Sequence, residues 1–136
     1  MKKIILLTVL FSLVNSINAQ TPLKKDSTAT KSNALGRTKE EAKQLVEYYR
    51  EQVLKGEDFG ALAFKYSEDP GSAKKGGQLS AFGRGQMVPE FEEVAFKLRP
   101  GEISEVFETK FGFHFIQLLA KDGEVLVARH ILLQVK

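Results

Sequence analysis

Residues 113–136 read FHFIQLLAKDGEVLVARHILLQVK. Two runs rich in apolar residues, 113–119 and 126–135, flank Lys121-Asp122-Gly123. An Asp-Gly pair between such runs is a strong hairpin signal, so the stretch predicts two adjacent antiparallel strands. Both runs are nearly continuous in hydrophobics, as expected of central strands covered on both faces. Each run carries one of the chain's two histidines, His114 and His130. A two-residue Asp122-Gly123 turn pairs Lys121 with Glu124 and sets His114 opposite Ile131. A three-residue loop over 121–123 pairs Ala120 with Glu124 and sets His114 opposite His130. Side chains alternate with period two, so the first register separates the imidazoles to opposite faces and the second places them side by side. The apolar pattern leaves both open.

Working outward, residues 103–107 read as another strand, and Arg99-Pro100-Gly101 stops the element before it. Pro89 suits the first turn of a helix whose inner face is Phe91, Val94, Ala95 and Leu98. Residues 79–82 form a short strand candidate, and 67–77, SEDPGSAKKGG, a loop by composition. Asp58 can cap a short helix facing inward through Phe59, Leu62, Ala63 and Tyr66. Thr38 and Glu41 make a capping box for a longer helix striped by Ala42, Leu45, Val46, Tyr49 and Val53, ending near Lys55 and Gly56. Helices interleaved with short strands predict an α+β domain over residues 38–136.

Residues 20–37 are polar, aperiodic and free of aromatics, and read as a flexible tail. Residues 1–19 begin with Lys2 and Lys3, continue with an apolar run over 4–14, and end in small residues at Ala19. That order is a secretory signal peptide, too short to span a bilayer as a helix. Its removal takes two of the 20 basic residues and none of the 17 acidic, leaving a net charge of +1. Such a balance gives no general attraction for nucleic acid or anionic lipid. The sequence has no cysteine, which excludes disulfides, thiolate metal sites, a cysteine nucleophile and cysteine lipidation.

The parts FGALAFKYS, GGQL, FGRGQMVPEFEEVAF, LRPGEIS and FGFHFI, spaced as they are between residues 59 and 116, resemble the parvulin (PpiC, rotamase) family of peptidyl-prolyl cis/trans isomerases. The resemblance extends over residues 38–136. It implies a parvulin-like four-stranded antiparallel sheet surrounded by helices. One departure is large. The family's domain starts with a strand of the type RHILL, and no such strand precedes Thr38; it stands at the other end, as VARHILLQVK. The resemblance therefore implies a circularly permuted order, tolerated where termini lie close together. Since the family's two histidines share a face, it also favours the three-residue loop, or an equivalent bulge. The rival readings are the start of a second, truncated domain, and strand exchange with another molecule.

By resemblance, His114, His130, Asp69 and Thr109 are the candidate catalytic residues, and Leu79, Met87 and Phe91 line the prolyl pocket. For Asp69 the simpler role is capping the Asp69-Pro70 bend; for the three apolar residues it is core packing. Phe113 and Phe115 should point away from His114 into packing, with Phe111 open as a rim residue. Rotation about an X-Pro bond transfers no group, so the resemblance implies no metal and no cofactor. The expected function is an exported isomerase, periplasmic or secreted, acting on proline-containing polypeptides and assisting their folding as a monomer. No nucleic-acid partner and no stable membrane insertion are expected. The alternatives are a non-catalytic parvulin-like chaperone or peptide-binding module, or part of a tandem protein. The short chain after His130 holds no basic cluster of the kind that phosphate-directed members carry.

Overall fold

The computed structural model describes residues 36–136. The expected signal peptide over residues 1–19 and nearly all of the expected tail over 20–37 lie outside the described residues. Three helices, α1 (Lys39–Leu54), α2 (Phe59–Tyr66) and α3 (Pro89–Lys97), precede three strands, β1 (Phe107–Thr109), β2 (Gly112–Asp122) and β3 (Val125–Leu133). A short 3₁₀ turn, Ala73–Lys75, lies inside the stretch that composition marked as loop. The helix starts follow local chemistry. Thr38 and Glu41 form a reciprocal capping box at α1, Asp58 accepts the Ala61 N–H at α2, and Pro89 opens α3.

The strands form one antiparallel sheet in the order β1-β2-β3. The expected fourth strand over 79–82 is not a continuous strand. It is an edge segment tied to β3 by single bridges, Gln78 to Arg129 and Phe82 to Leu126. Its Leu79 N–H reaches Ala128 O at 3.0 Å, and the His130 N–H reaches Gly77 O at 2.9 Å. The expected strand over 103–107 likewise shrinks to one bridge, Ile103 to Gln117, followed by β1 three residues long.

Both faces of the sheet are covered. On one, Ala42, Val46 and Tyr49 of α1 and Phe59 and Ala63 of α2 pack on Phe113, Phe115, Ile131 and Leu133. On the other, Phe91 and Ala95 of α3, with Phe82, pack on Ile116, Leu118, Leu126 and Ala128. On β3, and on β2 as far as Leu118, odd-numbered residues face α1 and α2 and even-numbered ones face α3, the period of two that a strand imposes.

The hairpin adopts neither expected loop. Asp122 pairs with Val125, so the turn is Gly123-Glu124, with Gly123 at φ +55°. Near the turn, Lys121 pairs with Leu126 and Ala120 with Val127. A bulge at Leu119 then shifts the register by one, so that Leu118 pairs with Ala128, Ile116 with His130 and His114 with Leu132. Without the bulge the two histidines would fall on opposite faces. With it they share the α3 face, displaced diagonally along the strands.

The end of β3 returns to the start of α1. The Lys136 N–H donates to Arg37 O at 3.0 Å, one residue before the Thr38 cap. Glu68 holds this joint. Its carboxylate accepts from Arg37 at 2.9 Å, from the Gln134 N–H at 2.7 Å and from Lys136 at 3.1 Å. Burial alone would raise the Glu68 pKa, but these three donors bring it below its usual range.

Candidate functional site

The even face of β2 and β3 brings His114 and His130 together at the bottom of a cleft of about 550 Å³. The imidazoles lie 19° from parallel, and His114 Nδ1 is 3.2 Å from His130 Nδ1. Thr109, at the end of β1, places its hydroxyl 2.7 Å from His114 Nε2. On the other side, His130 Nε2 is 2.8 Å from Asp69 Oδ2 and 3.1 Å from Ser72 Oγ. Asp69 serves its bend and the histidine at once. Its Oδ1 accepts the Gly71 N–H at 3.1 Å, while Oδ2 accepts from His130 and from the Ser72 hydroxyl.

With both imidazoles neutral, one assignment of protons satisfies every link. A carboxylate only accepts, so His130 donates from Nε2 to Asp69. Its Nδ1 is then free to accept from His114 Nδ1–H, which leaves His114 Nε2 to accept the Thr109 hydroxyl. Thr109 Oγ1 in turn accepts the Phe111 N–H at 3.1 Å. Donation thus runs in one direction from Phe111 to Asp69. Among the described residues no buried side-chain nitrogen or oxygen lacks a partner.

Electrostatics agree with neutral His114 and ionised Asp69. Burial pushes the His114 pKa down to about 3; proximity to His130 lowers it further and Asp69 partly opposes. The His130 hydrogen bond, with those from Ser72 and Gly71, holds the Asp69 carboxyl far below the usual carboxylate range, against the opposing effect of burial. A histidine whose folded pKa is depressed favours the fold above its unfolded value of 6.5, and that contribution is lost as pH falls toward 3. Asp69 adds a second loss as pH falls below 3.8. Urea unfolding at stepped pH is expected to show stability falling from pH 6.5 downward. His114 supplies up to about 1.4 kcal/mol per pH unit of that slope. His114→Gln should flatten the part between pH 6 and 4; an unchanged slope would show that His114 titrates normally in the fold.

The apolar wall of the cleft contains Leu79, Met87, Val88, Phe91 and Leu132; Pro70, Gln86, Phe111 and Gln134 stand around it. All three apolar residues singled out from the sequence therefore line the same cleft as His114, His130 and Asp69. Thr109 lies behind it, 7% exposed. Phe91 fills both roles that the sequence offered for it: it lines the cleft, and it is 3% exposed and packs edge-on against Phe82, Phe107, His114 and His130. It is core and cleft wall together. Met87, on the turn before α3, is half-buried. Phe113 and Phe115 face the α1–α2 side, as expected.

Sequence reasoning missed two members of the site. Ser72, 1% exposed, is the third residue after Asp69, the spacing at which a hydroxyl returns to the carboxylate that begins a turn. Phe107 pairs with His114 across the β1–β2 ladder, and its ring stacks on the imidazole at 5.3 Å and 12°. The ladder register that creates this contact has no local signal. Among the described residues no group of three His, Asp or Glu could hold a metal ion. No helix among them is long and apolar enough to cross a membrane.

A fold with two facing histidines at the foot of an apolar cleft defines a class, and comparison with known proteins agrees with it. The family model for the PPIC-type PPIase domain matches residues 8–122. The chain belongs to that family, the peptidyl-prolyl isomerase domains of parvulin type. It is similar to foldase protein PrsA 4 of Bacillus cereus, at 56% identity over 72 residues, 53% of this chain and 26% of the relative. It is similar also to chaperone SurA of Nitrosococcus oceani, at 49% identity over 75 residues, 55% of this chain and 18% of the relative. The crystal structure of the peptidylprolyl isomerase PrsA from Bacillus cereus superposes with a TM-score of 0.58 and 49% identity, over 60% of this chain and 32% of that one. The chain thus spans about a quarter of the length of the curated foldases it matches.

Proposed function

We propose that this chain catalyses cis/trans isomerisation of X-Pro bonds in extended or unfolded polypeptides, and so assists protein folding. The observation that carries this reading is the continuity of the cleft. The apolar wall of Leu79, Met87 and Phe91 runs directly onto the Asp69–His130–His114 chain. The barrier to rotation, about 18–20 kcal/mol, comes from amide resonance. A twisted amide has lost that resonance, so its oxygen carries less negative charge than that of either planar isomer. An apolar wall holds the prolyl ring and withholds the water that stabilises the planar, more polar forms. The Asp69 carboxylate, fixed by His130, Ser72 and the Gly71 N–H, adds a negative field that opposes charge on the substrate carbonyl. Both effects favour the twisted form over the planar ones, which is what lowers the barrier. His114 and Thr109 act by orienting His130.

The chain supplies both histidine strands itself, in permuted order. Support comes from the bond between Lys136 and Arg37, which joins the end of β3 to the residue before the α1 cap. That is where an unpermuted chain would run from strand into helix. The isolated chain acts as a monomer, and a monomeric mass in solution would separate this reading from strand exchange. The order of residues 1–19 supports export to the periplasm or medium, and protein recovered from the envelope fraction is expected to begin at Gln20. Recovery of intact Met1 in the cytoplasm would overturn export. The likeness to a chaperone keeps one second reading, a binding module with little turnover.

A protease-coupled or NMR exchange assay on Ala-Pro peptides tests the main proposal. Met87→Ala should weaken peptide binding about tenfold, while its stability cost stays under about 2 kcal/mol because the side chain is only half-buried. Phe91→Ala should lower affinity and also cost about 3–5 kcal/mol of stability. Unaltered affinity in Met87→Ala would remove the cleft as the prolyl site. Peptide binding without rate enhancement in the unsubstituted protein would leave the binding module.

A further inference from the structure

No peptide bond links residues 136 and 37, yet the structure presses them together. The Lys136 N–H donates to Arg37 O at 3.0 Å, and a Cβ on Gly36 would collide with the Lys136 carbonyl. The ladder between β2 and β3 ends at the Phe113–Leu133 pair. Residues 134–136 are held instead by bonds centred on the carboxylate of Glu68. It accepts from Arg37 Nη1 at 2.9 Å on each oxygen, from the Gln134 N–H at 2.7 Å and from Lys136 Nζ at 3.1 Å. Arg37 Nη1 also donates to Gln134 O at 3.2 Å. Bonds to an ionised acceptor are stronger than neutral ones, and the Glu68 side chain is only 20% exposed, so water competes little for them. This clasp borders the cleft. Leu132 and Gln134 line the cleft wall, and Asp69 follows Glu68 directly. The Glu68 N–H donates to Leu132 O at 2.8 Å, and the Leu132 N–H to Ser67 Oγ at 3.2 Å. Asp69 and His130 have separate anchors in Gly71, Ser72 and Gly77. Gln134, by contrast, is bonded at its N–H, carbonyl and side chain to Glu68 and Arg37.

We infer that Glu68 is a positioning residue for the cleft: it clasps the end of β3 to the start of α1 in place of a peptide bond, and so holds Leu132 and Gln134 where the wall receives the substrate. It acts through those two residues and leaves the histidine chain to its own anchors. The inference rests on the self-completed, permuted sheet and on the isomerase reading above, and deepens both.

Steady-state kinetics on Ala-Pro peptides test it with the whole chain, each variant being checked for folding by circular dichroism. Glu68→Gln keeps the shape and removes the charge. KM should rise about five- to tenfold while kcat stays within about twofold, because the Asp69–His130 link keeps its own anchors. Arg37→Gln removes one grip only and should raise KM about two- to threefold. The sequence has no cysteine, so Arg37→Cys with Lys136→Cys in the Glu68→Gln background offers a covalent clasp. Both native side chains reach the same Glu68 oxygen and so project to one side. Hydrogen-bonded backbone neighbours lie about 5.5 Å apart at Cα, within disulfide range. Reduced, this variant should show the raised KM; oxidised, it should return to within about twofold of the unsubstituted protein. A KM unchanged by Glu68→Gln, a loss confined to kcat, or a KM that oxidation leaves raised would overturn the clasp. Failure of the two thiols to join would overturn it too, since the ends would not meet. A disulfide between two molecules, seen as a dimer without reductant, would instead overturn the self-completed sheet and the clasp with it. Absence of turnover in the unsubstituted protein would remove the isomerase reading, and peptide affinities of the same variants would still decide the role of Glu68.

Discussion

Deletion of residues 127–136 is expected to abolish cooperative unfolding and isomerase turnover together. The segment looks like a tail in the sequence order, but most of it is a central strand. Its backbone bonds to β2 on one side and to the 77–82 segment on the other. Ala128 and Ile131 are fully buried, and Leu132 and Leu133 are 5% and 2% exposed. Losing one buried Ile or Leu side chain costs about 2–5 kcal/mol, and a whole domain is stable by only about 5–15 kcal/mol. Removing two leucines and an isoleucine with their strand therefore exhausts the stability. It also strips β2 and the 77–82 segment of their partner, leaving two open edges prone to pairing with other chains. Urea unfolding followed by circular dichroism should lose its sigmoid, and gel filtration should show association. Adding the missing segment back as a peptide should recover part of both transition and activity. A truncated protein that stays monomeric, unfolds cooperatively and turns over X-Pro peptides at the original rate would refute the permuted, self-completed sheet.

Gly77→Ala is expected to lower activity by at least a hundredfold and stability by more than about 2 kcal/mol. Gly77 has φ +82°, and a Cβ there would collide with the His130 carbonyl and stand 3.1 Å from Ala63 Cβ. Neither obstacle is the end of a flexible side chain. The same residue accepts the His130 N–H through its carbonyl at 2.9 Å and donates its N–H to Ser72 O at 2.9 Å. It thus sets the spacing between β3 and the turn that carries Asp69 and Ser72. An added methyl drives these apart, and the 2.8 Å link from His130 Nε2 to Asp69 Oδ2 is the first casualty. The left-handed backbone alone costs an L-residue about 1–2 kcal/mol. Gly85→Ala is the internal comparison. Its φ is +80°, yet nothing lies within 4 Å of the added Cβ, so it should show the backbone cost and keep most of the activity. Equal activity losses in the two variants would show that close approach at Gly77 has no part in holding the site.

The sequence by itself determined the elements whose causes are local. Thr38 with Glu41, Asp58 and Pro89 mark the three helix starts, because orphan N–H groups and the fixed φ of proline act within one turn. The apolar runs on either side of Asp122-Gly123 mark a hairpin, and their continuity marks strands covered on both faces. The family motifs between residues 59 and 116 pointed to Asp69, Leu79, Met87 and Phe91 around the histidines, and all four line the cleft.

The residue pattern left open which face each histidine takes; the family resemblance pointed to a shared face through a three-residue loop or a bulge, and the tertiary structure supplies the bulge. The answer depends on the parity of the pairing register, and one extra residue reverses it. The Leu119 bulge is that residue, in a run of apolar side chains where Gln117 is the sole polar mark besides His114. Burial of Leu118 and Ala128 under α3, and of Phe115 and Ile131 under α1 and α2, selects the shifted pairing. Those contacts span helices distant in sequence, so no local window contains them. The same reason hid Phe107 and the broken edge at 77–82, each defined by a neighbour more than five residues away. Ser72 had a local signal in its spacing from Asp69, but only packing brings it to His130.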